Sequence, residues 1–165
     1  MSVWKSPNPA YDFLLELREL VGDAEADTQR IQELFALATK TTQNYEGVVT
    51  SGSKDPHKSV LDSYADEAER FLARAKRYTA MRALADTLLD QLGDRDRHLL
   101  TARYCYAMTW NEVNKHLAEH GIELSSGGLY RAHSTALENA QEIWSKNNYD
   151  DSYRKIEDLH GENCV

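Results

Sequence analysis

The chain has 165 residues, with 27 Asp and Glu against 19 Lys and Arg, a formal net charge of −8, and only 3 Pro, 8 Gly and 2 Cys. That length holds one ordinary domain, or a small domain attached to an extended helical element. No apolar run approaches the roughly 18 residues of a membrane span, the N-terminus lacks the basic-then-apolar layout of a signal peptide, and Cys105 and Cys164 are too far apart to suggest a disulfide framework or a zinc ligand set. A cytoplasmic, all-α protein is expected.

Asn8 followed by Pro9 starts a helix, with a capping residue ahead of a proline at the first helical position. Small or apolar residues then recur in steps of three and four: Leu14, Leu17, Val21, Ala24, Thr28, Ile31, Phe35, Ala38 and Thr42. This is a heptad seam. Gly22 weakens it by about 1 kcal/mol relative to alanine, so a kink or break is expected over residues 22–27. Residues 44–57 mix turn formers with β-branched residues and read as a loop.

A second seam runs Leu61, Tyr64, Ala68, Phe71, Ala75, Tyr78, Arg82, Ala85, Leu89 and Leu92. Folding the two helices back antiparallel buries both seams, so residues 1–92 are expected to form a long antiparallel helical hairpin or coiled coil. Two narrow stripes bury little surface, which points to self-association, with a dimer favoured.

Gly93 and Asp94 end the long helix and cap a short amphipathic one containing Leu99, Leu100, Arg103 and Tyr104. Thr109 caps a third piece with Trp110, Val113 and Leu117 on one stripe, which Gly121 ends. Ser125 and Ser126 are good caps for a final helix whose inward side is marked by Leu129, Tyr130, His133, Ala136, Leu137, Ala140, Ile143 and Trp144. A short helix, a turn and a longer helix make the layout of a helix-turn-helix over residues 93–145, able to present one helix to a major groove about 12 Å wide.

The negative total argues against a nucleic-acid partner, because neutralising phosphate needs cations. The excess acid lies mostly elsewhere, however: residues 1–92 carry 15 acids and 11 bases, residues 93–146 carry 7 and 6, and the tail 147–165 carries 5 and 2.

The run Leu92-Gly93-Asp94-Arg95-Asp96-Arg97-His98-Leu99-Leu100-Thr101-Ala102-Arg103-Tyr104, then Thr109-Trp110-Asn111-Glu112-Val113, then Leu129-Tyr130-Arg131-Ala132-His133-Ser134-Thr135-Ala136-Leu137, resembles the phage regulators of the ArpU and RinA type, whose C-terminal part looks like region four of sigma factors. The resemblance spans residues 11–144. It departs at Asn114, where the family pattern has a small alanine, and in a longer inter-helix turn. It implies a phage or prophage regulator in a bacterial host cell that binds double-stranded promoter DNA of late or packaging genes, with host RNA polymerase as a further partner. A small terminase-like packaging subunit and a helical protein-interaction module that does not bind DNA are the alternatives.

The candidate DNA contacts are Ser125, Ser126 and Gly127 at the helix start, where free N–H groups attract phosphate, then Tyr130, Arg131, Ser134 and Thr135 along it, with Lys115 and Arg103 outside it. His116, Glu119 and His120 match the H-x-x-E-H pattern of a zinc peptidase. The helix ends directly afterwards and no third ligand is marked downstream, so neither a metal nor a cofactor is expected. His133 reads as a structural histidine. With no nucleophile motif and no phosphate loop, the chain is read as non-enzymatic. The polar residues 146–165 are expected to form a frayed, flexible tail with Tyr149, Tyr153, Ile156 and Leu159 as its docking points.

Overall fold

A computed structural model describes residues 7–43 and 56–161, which are predominantly helical with no strand among them. The helices are α1 (Pro9–Gln43), α2 (Pro56–Leu89), α3 (Asp94–Leu100), α4 (Trp110–Glu119), α5 (Ser126–Lys146) and α6 (Tyr149–Gly161). The loop expected over 44–57 lies, through residue 55, outside the described residues, and Pro56 already begins α2. At the start of α1, Asn8 caps as its side chain implies, with its Oδ1 accepting from the Tyr11 N–H at 3.0 Å.

No break occurs at Gly22, because α1 is one helix of 35 residues. Gly22 is exposed with open space where a Cβ would stand, and the helix formers Ala24, Glu25 and Ala26 follow it. A penalty of about 1 kcal/mol does not interrupt a helix so flanked.

The chain divides into two units, residues 1–22 with 77–165 and residues 23–76. This division cuts the chain elsewhere than between residues 92 and 93. The reason is visible in the core of the first unit, where Phe13, Leu14 and Leu17 of α1 and Met81, Leu88 and Leu89 of α2 are buried together with Leu99, Val113, Leu117 and Trp144. A two-helix seam is only a narrow stripe, but these helix ends bury a wider face, which recruits Met81, Leu84 and Leu88 beside the expected Ala85, Leu89 and Leu92. Within the same unit Arg77 pairs with Glu16.

In residues 23–76, Arg74 pairs with Asp27 at 2.5 Å and the Phe35 and Tyr64 rings lie 6.2 Å apart. Leu34 is buried here, whereas Phe35, Leu37, Leu61 and Leu72 are exposed.

α3 runs into a π-helical turn over Thr101–Cys105, closed by the Tyr106 N–H on the Thr101 carbonyl at 3.1 Å. The wider turn fits one more residue into the circuit, and Ala102, Tyr104 and Cys105 all reach the core. Burial pushes the Cys105 thiol up to about 11, so it packs as a small apolar group.

Residues 149–161 are helical rather than frayed. Asn148 adopts a left-handed backbone (φ 52°) between α5 and α6, a conformation its short polar side chain tolerates. α6 then lays Tyr153 against Phe13, with centroids 5.4 Å apart, and buries Ile156. Tyr149, Tyr153 and Ile156 follow helical spacing, which gives an otherwise polar segment one apolar side. The Leu159 side chain lies outside the described residues.

Candidate nucleic-acid interface

α4 begins at a reciprocal cap. The Thr109 Oγ1 accepts from the Glu112 N–H, and the Glu112 carboxylate accepts from the Thr109 N–H at 2.7 Å and from its hydroxyl at 2.8 Å. These bonds, the backbone one foremost, hold the Glu112 carboxyl below the usual carboxylate range. The helix closes at Gly121, whose φ of 76° suits a residue without a Cβ, and the Ile122 N–H reaches back to the Leu117 carbonyl at 2.9 Å.

α5 starts at Ser125, whose Oγ accepts from the Gly128 N–H at 3.1 Å. A Cβ on Gly128 would stand 3.0 Å from that Oγ, so glycine lets the cap close tightly. The underside of α5 buries Leu129, Ala132, Ala136, Ala140 and Trp144. Asp96 of α3 is buried and clamps this helix, its Oδ2 accepting from the Asn139 amide at 2.7 Å while Arg95 donates to Oδ1.

The expected contacts fall into two groups. Ser125, Ser126, Gly127, Tyr130, Arg131, Ser134 and Thr135 are exposed at the start and along the outer side of α5, and Lys115 is exposed on α4. Arg131 Nε donates to the Gly127 carbonyl at 3.3 Å, and the Ser134 hydroxyl donates to the Tyr130 carbonyl at 3.3 Å. Between Ser126 and Leu137 α5 carries no carboxylate, the first being Glu138. The Ser125 hydroxyl is engaged in its cap, which leaves the neighbouring N–H groups and Ser126 to meet an anion.

Arg103 stands apart from this surface. Its guanidinium donates to the Met108 carbonyl at 2.7 Å and lies 4.4 Å over the Trp110 ring. Burial, followed by the nearby Arg18 cation, lowers its pKa. It therefore braces the connection between α3 and α4, a role that depends on tertiary packing.

No family model matches the chain, and neither does any curated protein or solved structure.

Behind the exposed side of α5, His133 Nε2 lies 2.7 Å from the Tyr104 hydroxyl, and its ring meets Trp110 edge-on at 4.8 Å. Burial, and then the Arg103 cation, lowers the His133 pKa, whereas burial raises that of Tyr104 far above the phenol range. The 2.7 Å contact joins the Tyr104 hydroxyl to His133 Nε2 as a hydrogen bond whose direction follows the imidazole tautomer.

Because the folded-state value is the depressed one, His133 stabilises the fold in full above the ordinary imidazole pKa of about 6.5. That contribution is lost as pH falls through the lowered value. Urea unfolding followed across this range should show His133→Gln with a shallower acid loss of stability than the native chain. Superimposable acid limbs would remove His133 as the cause.

Helical spacing did not single out His98, which α3 holds half-buried beside His116 of α4 and His120 at the C-cap of that helix. No sequence motif links His98 to the His116 and His120 pair.

Proposed function

We propose that α4 and α5 form a helix-turn-helix that binds double-stranded DNA, and that the chain is a phage-type transcriptional regulator acting at promoters of late or packaging genes. The observation that carries this reading is the composition of α5: its underside is buried through Leu129, Ala132 and Ala136, while Tyr130, Arg131, Ser134 and Thr135 face outward with no carboxylate before Glu138. A rigidly held helix with a neutral-to-cationic outer side suits a groove lined by phosphates.

Self-association belongs to the same proposal. Residues 23–76 read as an antiparallel hairpin, since Asp27 meets Arg74 and Phe35 meets Tyr64, and they expose Phe35, Leu37, Leu61 and Leu72. A dimer joined there engages two half-sites at once, which offsets the few cations of each copy.

The test is fluorescence anisotropy on the DNA upstream of the coding sequence across a range of salt, with light scattering on the same samples. Affinity should fall with salt at a log–log slope of about −0.9 per phosphate contacted. Arg131→Ala should weaken binding by about 1–3 kcal/mol while the helical circular dichroism stays intact. Equal affinity for that variant, or a monomer that binds no DNA at low salt, would leave the interaction-module reading in its place.

A further inference from the structure

We propose that His98, His116 and His120 form a binding site for a divalent transition-metal ion, tying α3 to the C-terminal end of α4. The ligand nitrogens of the three rings all lie within 4.8 Å of one another. The His120 ring centroid is 4.3 Å from that of His98 and 4.4 Å from that of His116. His116 and His120 are one helical turn apart, so their side chains project from the same side of α4, and α3 supplies His98 across from them.

One of the three rings is already oriented as a ligand. His120 Nδ1 lies 2.8 Å from the His116 carbonyl oxygen. A carbonyl can only accept, so Nδ1 carries the hydrogen and Nε2 keeps its lone pair for a metal ion. Metal-bound histidines are fixed in this way, by donating the other ring N–H to a carbonyl or carboxylate.

The donor set selects the ion. Three imidazole nitrogens without a carboxylate suit zinc, copper or nickel and are poor ligands for magnesium or calcium. At metal–nitrogen distances of about 2.0–2.1 Å, tetrahedral ligands stand about 3.3 Å apart, so the rings must close in slightly. His98 and His116 are half-buried and His120 is exposed, which leaves room for that rotation and for water at a fourth position. The H-x-x-E-H spacing in α4 thus supplies two ligands, and the third is a histidine upstream of it. This site is independent of the DNA-binding reading.

The experiment is calorimetric titration of the full chain, stripped with chelator, using zinc chloride alone. One ion per chain should bind, and each of His98→Ala, His116→Ala and His120→Ala should weaken binding roughly tenfold or more. A His57→Ala, His160→Ala double variant, which alters the histidines elsewhere in the chain apart from His133, should bind as the native chain does. Circular dichroism confirms that each variant is folded, and nitrogen hyperfine splitting in the copper-loaded chain should lose one imidazole in His98→Ala. Zinc binding that survives His98→Ala unchanged, or no binding by the native chain, overturns the proposal and leaves three packed imidazoles.

Discussion

Replacing Trp144 with alanine should lower folding stability by about 3–5 kcal/mol, the range for removing a large buried ring. Trp144 is 1% exposed. Its ring centroid lies 5.1 Å from that of Phe13 in α1, 5.8 Å from Tyr149 and 6.2 Å from Tyr153, so one side chain joins the start of the chain, α5 and α6. Its indole N–H donates to Asp150 Oδ1 at 2.8 Å. Trp144→Phe keeps an aromatic ring in the core but loses that bond and part of the ring volume, so its cost should be smaller, about 1–2 kcal/mol. Urea unfolding followed by far-ultraviolet circular dichroism measures both. A Trp144→Ala loss no larger than that of Trp144→Phe would mean that the ring is not the anchor described.

Asn139→Asp should be the most damaging polar substitution. The Asn139 amide donates to the buried Asp96 carboxylate at 2.7 Å, and the substitution replaces a donor with a second carboxylate at hydrogen-bond distance. Removing a hydrogen bond to a charged group costs about 1.5–3 kcal/mol, and like-charge repulsion adds to it. The repulsion eases once one of the two carboxyls takes a proton and becomes a donor, so the damage should shrink as pH falls. Asn139→Leu removes the donor without adding charge and should lose stability with much less dependence on pH. Parallel pH profiles for the two variants would rule out the clamp as the source.

What could be read from the sequence was mostly local. The caps at Thr109 and Ser125 follow from side chains bonding to backbone two or three residues away, so the beginnings of α4 and α5 were legible before any tertiary contact was known. The exposure of Arg131, Ser134 and Thr135 followed from helical spacing, whereas spacing set Tyr130 on the inward side and the structure leaves it 55% exposed against Trp110.

The remainder depended on contacts distant in sequence. Arg103 has the look of a surface cation until Met108 and Trp110 are found beside it. His98 means nothing for α4 until α3 is packed. The apolar side of α6 was present in Tyr149, Tyr153 and Ile156, but high polarity masked it because only a folded partner, Phe13 with Trp144, gives that side something to cover.

The Ala10 N–H donates to the Gln141 side chain across 131 residues, and Phe13 rests on α5 and α6. During synthesis, therefore, the opening turns of α1 leave the ribosome long before their partners exist. Their apolar side must wait in the open until the last helices have been translated. Such separation in sequence slows folding and exposes sticky intermediates, so a nascent chain of this protein is a natural client for chaperones, and fragments ending near residue 92 should aggregate instead of folding as a free-standing hairpin.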